Sequence, residues 1–413
     1  MSEGHSLTLA CYTLFGAMLG MAGLPIYIHA PKYFVDNYGL SLSMLGAILF
    51  GLRLIDFLQD PLLGRLAERT VKYGAAPAWI AGCVMSLGMF GLFAVPAPLS
   101  PIVWFAVNLT AVFTGFSFLS IRFYALGIAA FGSSGQLNLA RWRETGTLLG
   151  ISFAAVSPTF FTKLSQDPFL IHSFMFFALA LVALLAMHSE WKTNYQPFKN
   201  ETSAYILSDP LVRQMLILAV LNTAPVAVSS TLFLFFVESR LLAPDAAGAF
   251  LILFFLAATI SAPLWTSLSH RYGARRILLL SMVGSLFAFA YTFFLTEGQT
   301  LIFAVICASS GATLGADLVI LPAIFARHLA RTNARPEIGF GLWNFASKIS
   351  LAIAAVLVLP LVELLGFRAG ADNSEIGLFA LSFGYAALPC ILKLFAILWL
   401  LQLSLKDKSN EVV

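Results

Sequence analysis

Pro61-Leu-Leu-Gly-Arg-Leu-Ala-Glu-Arg69 returns about half a chain later as Pro263-Leu-Trp-Thr-Ser-Leu-Ser-His-Arg271, with the same spacing from proline to arginine and a glycine soon after each, Gly74 and Gly273. Each stretch closes a long apolar run, so the chain reads as two related halves. The same texture continues outward from both. Of 413 residues, 59% are hydrophobic and 11% charged, whereas a soluble domain carries about a quarter charged residues. A membrane-spanning helix uses about 20 apolar residues, so this hydrophobic share would fill about a dozen spans and little else. The composition excludes a disordered chain, an ordinary nucleic-acid-binding domain and a conventional soluble enzyme.

Twelve apolar segments can be read, near 7–30, 41–63, 76–95, 101–130, 145–164, 168–188, 211–237, 246–268, 277–296, 300–328, 339–366 and 376–403. Their connections are short except for one polar stretch near 189–210. We therefore expect an all-α polytopic membrane protein of twelve transmembrane helices: an N-terminal six-helix half over 1–190, a cytoplasmic linker over 191–210, and a C-terminal six-helix half over 211–413. Basic residues gather after the even segments: Arg65, Arg69 and Lys72; Arg141 and Arg143; Lys192 and Lys199; Arg271, Arg275 and Arg276; Arg327, Arg331 and Arg335; Lys406 and Lys408. The alternate loops are nearly bare of them, Lys32, Lys163, Arg240 and Arg368 being the main exceptions. Positive loops stay inside, which predicts cytoplasmic termini in a cell (inner) membrane. The first apolar run lacks a basic leader and an A-x-A-like site, so a cleaved signal peptide is not expected.

Cysteines 11, 83, 307 and 390 lie far apart in apolar runs, and the six histidines are scattered with no HExxH spacing. Neither pattern suggests a metal or redox centre, and no cofactor is expected. No nucleophile–base pair stands out, so the chain is not read as an enzyme.

A charge at the bilayer centre costs at least about 2.5–3.5 kcal/mol, which makes the ionisable residues inside segments the candidate functional ones. The densest set is Arg53-Leu-Ile-Asp56-Phe-Leu-Gln-Asp60. Arg53, Asp56 and Asp60 share one helix face by their spacing. Two convergent carboxylates suit a small hard cation or a proton. The plainer alternative is that Asp60 caps a helix end and Asp56 pairs with Arg53. Other ionisable residues stand singly: Arg122 near Ser120, Arg141 and Arg143 at the start of segment five, Asp317 in segment ten, Lys348 in eleven, and Lys393 in twelve, which fits either snorkelling or burial. Tyr124, Trp142, Trp343, Asn222 and Asn344 stand near these charges and could hold a polar ligand by stacking and hydrogen bonding.

Together these segments resemble the glycoside–pentoside–hexuronide:cation symporters, the melibiose-permease-like branch of the major facilitator superfamily. The likeness runs through Tyr33-Phe-Val-Asp-Asn-Tyr-Gly-Leu-Ser41, Arg53 to Gly64, Tyr124-Ala-Leu-Gly127, Arg141-Trp-Arg143 and Gly339-Phe-Gly-Leu-Trp-Asn-Phe-Ala-Ser-Lys348. It implies the major facilitator fold, with two six-helix halves and a site near mid-membrane. It also implies Asp56 and Asp60 as cation-site carboxylates, Arg143 and Lys348 as the family's basic residues of spans five and eleven, and Tyr124 as a sugar-stacking ring. Two departures stand out: Gly20 and Ser120 replace the family's sugar-binding acids of spans one and four, and Arg122 takes a position usually held by proline.

From this we expect a cation-coupled symporter, driven by Na+ or H+, of a sugar, glycoside or related organic solute. Asp56 and Asp60 would bind the cation. Arg53, Ser120, Arg122, Tyr124, Arg143, Asp317, Asn344 and Lys348 would form the substrate site or charge network. The alternative is a lysophospholipid or other amphipathic anion, with its headgroup held by Arg122 or Arg143. The expected partners are a small-molecule substrate and the lipid bilayer, with no nucleic acid, and a monomer is expected.

Overall fold

A computed structural model of the chain describes residues 3–23, 30, 33–34, 37–40, 42–98, 100–161, 167–192, 204–368 and 373–403. Among them are twelve long helices and no strand. The first six are α1 (Glu3–Ala22), α2 (Leu42–Thr70), α3 (Ala76–Phe93), α4 (Pro101–Phe131), α5 (Gln136–Phe161) and α6 (Pro168–Ala186). The next five are α7 (Pro210–Phe235), α8 (Ala247–Tyr272), α9 (Ala274–Ala290), α10 (Thr300–Thr332) and α11 (Pro336–Leu364). The last, α12 (Glu375–Gln402), contains a wider, π-helical turn at Phe383–Ala387. Among the described residues, nine of these helices are long and apolar enough to cross a membrane by length and composition. The other three are α1, with a shorter apolar stretch at Leu7–Ala22, and α2 and α5.

The helix order matches the twelve expected segments, but two ends do not. Helix α5 begins at Gln136, nine residues before the expected 145, and α2 continues to Thr70, past the expected 63. In both places hydropathy stops at charged residues while the backbone stays helical: Arg143 and Glu144 are buried within α5, whereas on the α2 extension Ala67 is buried and Arg65 and Arg69 are exposed. Arg141 and Arg143 are thus inside α5 and not at its start. Of the expected first segment, residues 24–29 lie outside the described residues, as do 193–203 of the polar stretch. That stretch is bounded by short helices at His188–Lys192 and Ala204–Ser208.

The chain forms two compact units: Met1–Ile206 with Ala326–Phe345, and Leu207–Phe325 with Ala346–Val413. The end of α10 and the first turns of α11 therefore belong with the first unit. The sequence repeat has a structural counterpart. Pro61 lies inside α2 and Pro263 inside α8, and the stretches end at Gly74 and Gly273, both at positive φ (58° and 91°). In that conformation glycine ends a helix without the strain a side chain would bring.

The exposed and buried faces are reversed relative to a soluble helix. On α2, Leu52, Asp56, Asp60, Leu63 and Ala67 form the buried seam, while Ile55, Leu58, Leu62 and Leu66 face outward. On α12, Lys393 is buried and Leu394, Phe395, Leu398 and Leu401 are exposed. A helix in water turns its charges outward. A helix in hydrocarbon must turn them inward.

Helix packing relies on bare backbone. A Cβ on Gly16 or Gly20 of α1 would stand 2.5 or 2.0 Å from the carbonyl oxygens of Arg143 and Thr147 on α5. A Cβ on Gly146 or Gly150 of α5 would stand 2.0 Å from those of Thr13 and Ala17 on α1. Two small-xxx-small stripes thus interlock, as expected where lipid supplies no hydrophobic drive and close van der Waals contact must. In the second unit Gly311 and Gly315 of α10 meet α8 similarly, with a Cβ on Gly311 falling 2.1 Å from the Phe254 carbonyl.

Gly150→Leu should therefore force α1 and α5 apart and cost about 3 kcal/mol or more, the upper range for overpacking. Gly248→Ala, with nothing within 4 Å of the added Cβ, should be neutral. Thermal unfolding and monodispersity of the detergent-purified variants would distinguish the two.

Candidate functional site

The α2 seam carries Asp56 and Asp60 one turn apart, 6% and 0% exposed. Opposite them, α4 presents a polar stripe of Thr114, Ser117, Ser120 and Tyr124, spaced by three, three and four residues. The Ser117 hydroxyl donates to Asp56 Oδ1 at 3.3 Å, and Gln59 Nε2 donates to the same oxygen at 3.4 Å. Gln59 in turn accepts from Thr114 at 3.0 Å. Pro61 directly follows Asp60 and has no amide proton, so the Phe57 carbonyl, next to Asp56 and three residues before Asp60, loses its intrahelical donor. This is an oxygen-rich, largely buried face of the kind a small hard cation prefers. The Arg53 backbone is part of α2, but its side chain lies outside the described residues.

The first turns of α11 complete this face within the first unit. Asn344 Nδ2 donates to Ser120 Oγ at 2.9 Å, and Ser120 itself donates to the Ser117 carbonyl. Phe345 and Phe340 pack on Phe57 and Tyr124, with ring centroids 5.6 and 4.7 Å apart. A Cβ on Gly341 would lie 2.9 Å from the Asp60 carbonyl, so the two backbones nearly touch here. Just outside, Arg335 forms an ion pair with Glu68.

Two turns along α4, Tyr124 joins a second cluster. Arg143, 2% exposed, lies over the Tyr124 ring with its guanidinium carbon 3.5 Å from the centroid. Its Nε donates to Glu144 Oε1 at 2.8 Å, and the Tyr124 hydroxyl donates to the same oxygen at 2.7 Å. Arg143 Nη2 and the Tyr12 hydroxyl are buried without a hydrogen-bond partner among the described residues. The cluster therefore holds a neutral ion pair with donors to spare.

The structure also accounts for the two departures from the family pattern. No acid fits at position 20, because the first carbon of any side chain would meet the Thr147 carbonyl. Gly20 is a helix-crossing residue. Arg122 reaches back to the Gly74 carbonyl at 3.1 Å and stands over the Trp191 ring at 5.4 Å. It ties the end of the α2 turn to the short helix after α6, and it holds framework.

In the second unit, Asp317 and Lys393 are 8% and 6% exposed. Lys393 Nζ donates to Asp317 Oδ2 at 2.5 Å and to Asn222 Oδ1 at 2.7 Å. Three helices, α7, α10 and α12, are joined by this triad. The sequence left Lys393 open between snorkelling and burial; it is buried and paired. Lys348 is the thirteenth residue of α11, half-buried, in the second unit.

Two residues, Ser117 and Glu144, escaped the sequence analysis. Ser117 could have been found by reading the polar stripe of α4 at helical spacing. Glu144 adjoins Arg143 and was hidden by placing the pair at a helix entrance. Asn222 was noted only as an amide, and its link to Lys393 joins residues 171 positions apart. Among the described residues no group of three or more His, Cys, Asp or Glu could hold a metal; the α2 site offers carboxylate, hydroxyl and amide oxygens instead.

Residues 11–407 match the family model described as MFS/sugar transport protein. Among solved structures, the chain is similar to the outward-facing crystal structure of a bacterial homologue of the iron transporter ferroportin. The TM-score is 0.69, at 15% identity, over 95% of this chain and 98% of that one. At that identity the likeness speaks for the fold alone. No match was found among curated proteins. With the family match covering nearly its whole length and its twelve helices in the major facilitator order, the chain belongs to the MFS/sugar transport protein family, the melibiose-permease-like branch of the major facilitator superfamily, and is a multi-pass membrane transporter.

Proposed function

We propose that this protein is a cation-coupled secondary symporter working by alternating access, with Na+ or H+ bound at Asp56 and Asp60 and a sugar, glycoside or related organic solute as cargo. The observation that carries this reading is the pair of buried acids one turn apart on α2, with the Ser117 hydroxyl on one of them. A bound cation would neutralise charge that is costly to keep in a dry interior. Cargo and cation would thereby become linked, because each changes the free energy of the state the other binds.

The cargo side of the reading rests on Tyr124, Arg143, Ser120 and Asn344, to which Glu144 is added. Glu144 supplies, from α5, a buried carboxylate of the sort the family carries on spans one and four. A sugar hydroxyl both donates and accepts, so it can bridge Glu144 and the spare donor of Arg143. The alternative cargo, a lysophospholipid or other amphipathic anion, has weaker support. Arg122 already bonds the Gly74 carbonyl and stacks on Trp191, and the Arg143 charge is met by Glu144, so an anion would find only their remaining donors, Arg122 Nη1 and Arg143 Nη2. We further propose that the chain functions as a monomer in a cell (inner) membrane with both termini cytoplasmic, as its basic loops suggest.

In proteoliposomes carrying a Na+ or proton gradient, uptake of a labelled sugar panel should show one driving ion. Asp56→Asn/Asp60→Asn should abolish accumulation while leaving the fold intact, and accumulation that survives it would overturn the coupling assignment. Ser117→Ala removes an oxygen that can turn towards the cation and should raise the half-saturating Na+ concentration about tenfold. Glu144→Gln leaves the Arg143 charge uncompensated and should cost about 3–5 kcal/mol. Arg143→Gln/Glu144→Gln should restore thermal stability but not uptake, which separates a cargo role from a purely structural one. A fluorescent protein fused to the C-terminus should fold and fluoresce in the cytoplasm, and a dark fusion on translocated protein would reverse the topology.

A further inference from the structure

Asp317 and Lys393 border a cavity of about 80 Å3 inside the second unit, partly open to its surroundings. The site is separate from the α2 acids and does not depend on their role.

The polar floor has an unusual balance. The ion pair is neutral and shielded, so an entering ion would add an uncompensated charge to a low-dielectric interior. Neutral ligands are selected. Asp317 Oδ1 is buried beside the cavity with no hydrogen-bond partner among the described residues. Lys393 has three N–H donors, of which two reach Asp317 and Asn222. One idle acceptor and one idle donor thus sit on adjacent groups.

The wall adds acceptors. Ser229, Ser285, Ser310 and Thr313 each give their hydroxyl proton to a carbonyl of their own helix, which leaves oxygen lone pairs available to the cavity. Phe254 and Phe289 contribute apolar surface suited to the C–H face of a ring or chain. A ligand that meets all of this donates several hydrogen bonds, accepts at least one, has an apolar face and carries no charge. A hydroxyl is the simplest group that donates and accepts at one atom.

We propose that this cavity binds a neutral, hydroxyl-bearing ligand whose hydroxyls bridge Asp317 Oδ1 and Lys393 Nζ, either a free polyol or sugar or the hydroxylated headgroup of an uncharged lipid. Cys390 lines the same cavity and provides a local reporter.

The test uses full-length protein in phosphatidylcholine nanodiscs, with Cys11, Cys83 and Cys307 replaced by alanine. The alkylation rate of Cys390 by N-ethylmaleimide is followed by mass spectrometry. Glucose and monoacylglycerol are the neutral probes, and glucuronate and lysophosphatidic acid their charged counterparts. One neutral probe should slow alkylation several-fold while its charged counterpart does not; the protecting probe identifies the source. Protection should disappear in Asp317→Asn/Lys393→Met, which leaves no lone buried charge. It should also disappear in Phe289→Trp, which fills the cavity and keeps the ion pair should the double variant fail to fold. Absence of protection by both neutral probes, equal protection by the charged ones, or protection that persists in whichever of these variants folds overturns the proposal. So does a failure to label both Cys390 and a second reporter, Ser285→Cys, because the cavity would then be closed to solutes.

Discussion

Hydrocarbon offers no partner to a charge or to an unpaired peptide group, and every other feature of this molecule follows from that constraint. It leaves helices as the only spanning element and sets their number through the apolar share of the chain. It also fixes which way each helix faces. On α2 the acids look inward while leucines look outward, and on α12 the lysine does the same among exposed leucine and phenylalanine. Ionisable residues therefore end up together inside, where they must either pair or serve a ligand.

The same solvent removes the hydrophobic drive between helices, so backbones come together instead. The interlocked glycines of α1 and α5 are the clearest case, and they constrain function as well as packing. A site that uses an acid on α1 is incompatible with a helix crossing at Gly20. In this chain the crossing occupies the position, and the nearest carboxylate to Tyr124 comes from Glu144 on α5. A substitution that looks like loss of a binding residue in an alignment is here the consequence of a close approach between two helices.

What was legible in the sequence was what repeats locally. Runs of about 20 apolar residues gave the spans, and Asp56 and Asp60, four apart, gave a shared helix face without tertiary information. Where hydropathy met charge it misplaced helix ends, as at Gln136 and Thr70, because apolar averaging stops at a charge whether it is buried within a helix, as at Arg143, or on an exposed helical turn, as at Arg69. The pairing of Lys393 with Asp317 and Asn222 was illegible for another reason: it joins three helices distant in sequence, and each residue alone is equally compatible with a lipid interface. Arg122 shows the same limit: it stands alone in an apolar run, while the fold supplies a carbonyl and an indole ring that the sequence could not bring near.

The buried ionic groups also divide by how their charge is met. Asp317 with Lys393 and Arg143 with Glu144 are matched acid–base pairs at hydrogen-bond distance, so a cation can claim either acid only by displacing a base. Neutral ligands that share donors and acceptors face no such competition, which makes both pairs suited to hydroxyl groups. On α2 two carboxylates follow one another on a single seam, and the neighbour that reaches Asp56 from α4 is a hydroxyl, a group that can turn from donor to ligand oxygen. The proposed reading puts cation chemistry on α2 and hydroxyl recognition at the two pairs. Such a division would let one chain recognise an ion and an uncharged solute without their competing for the same oxygens.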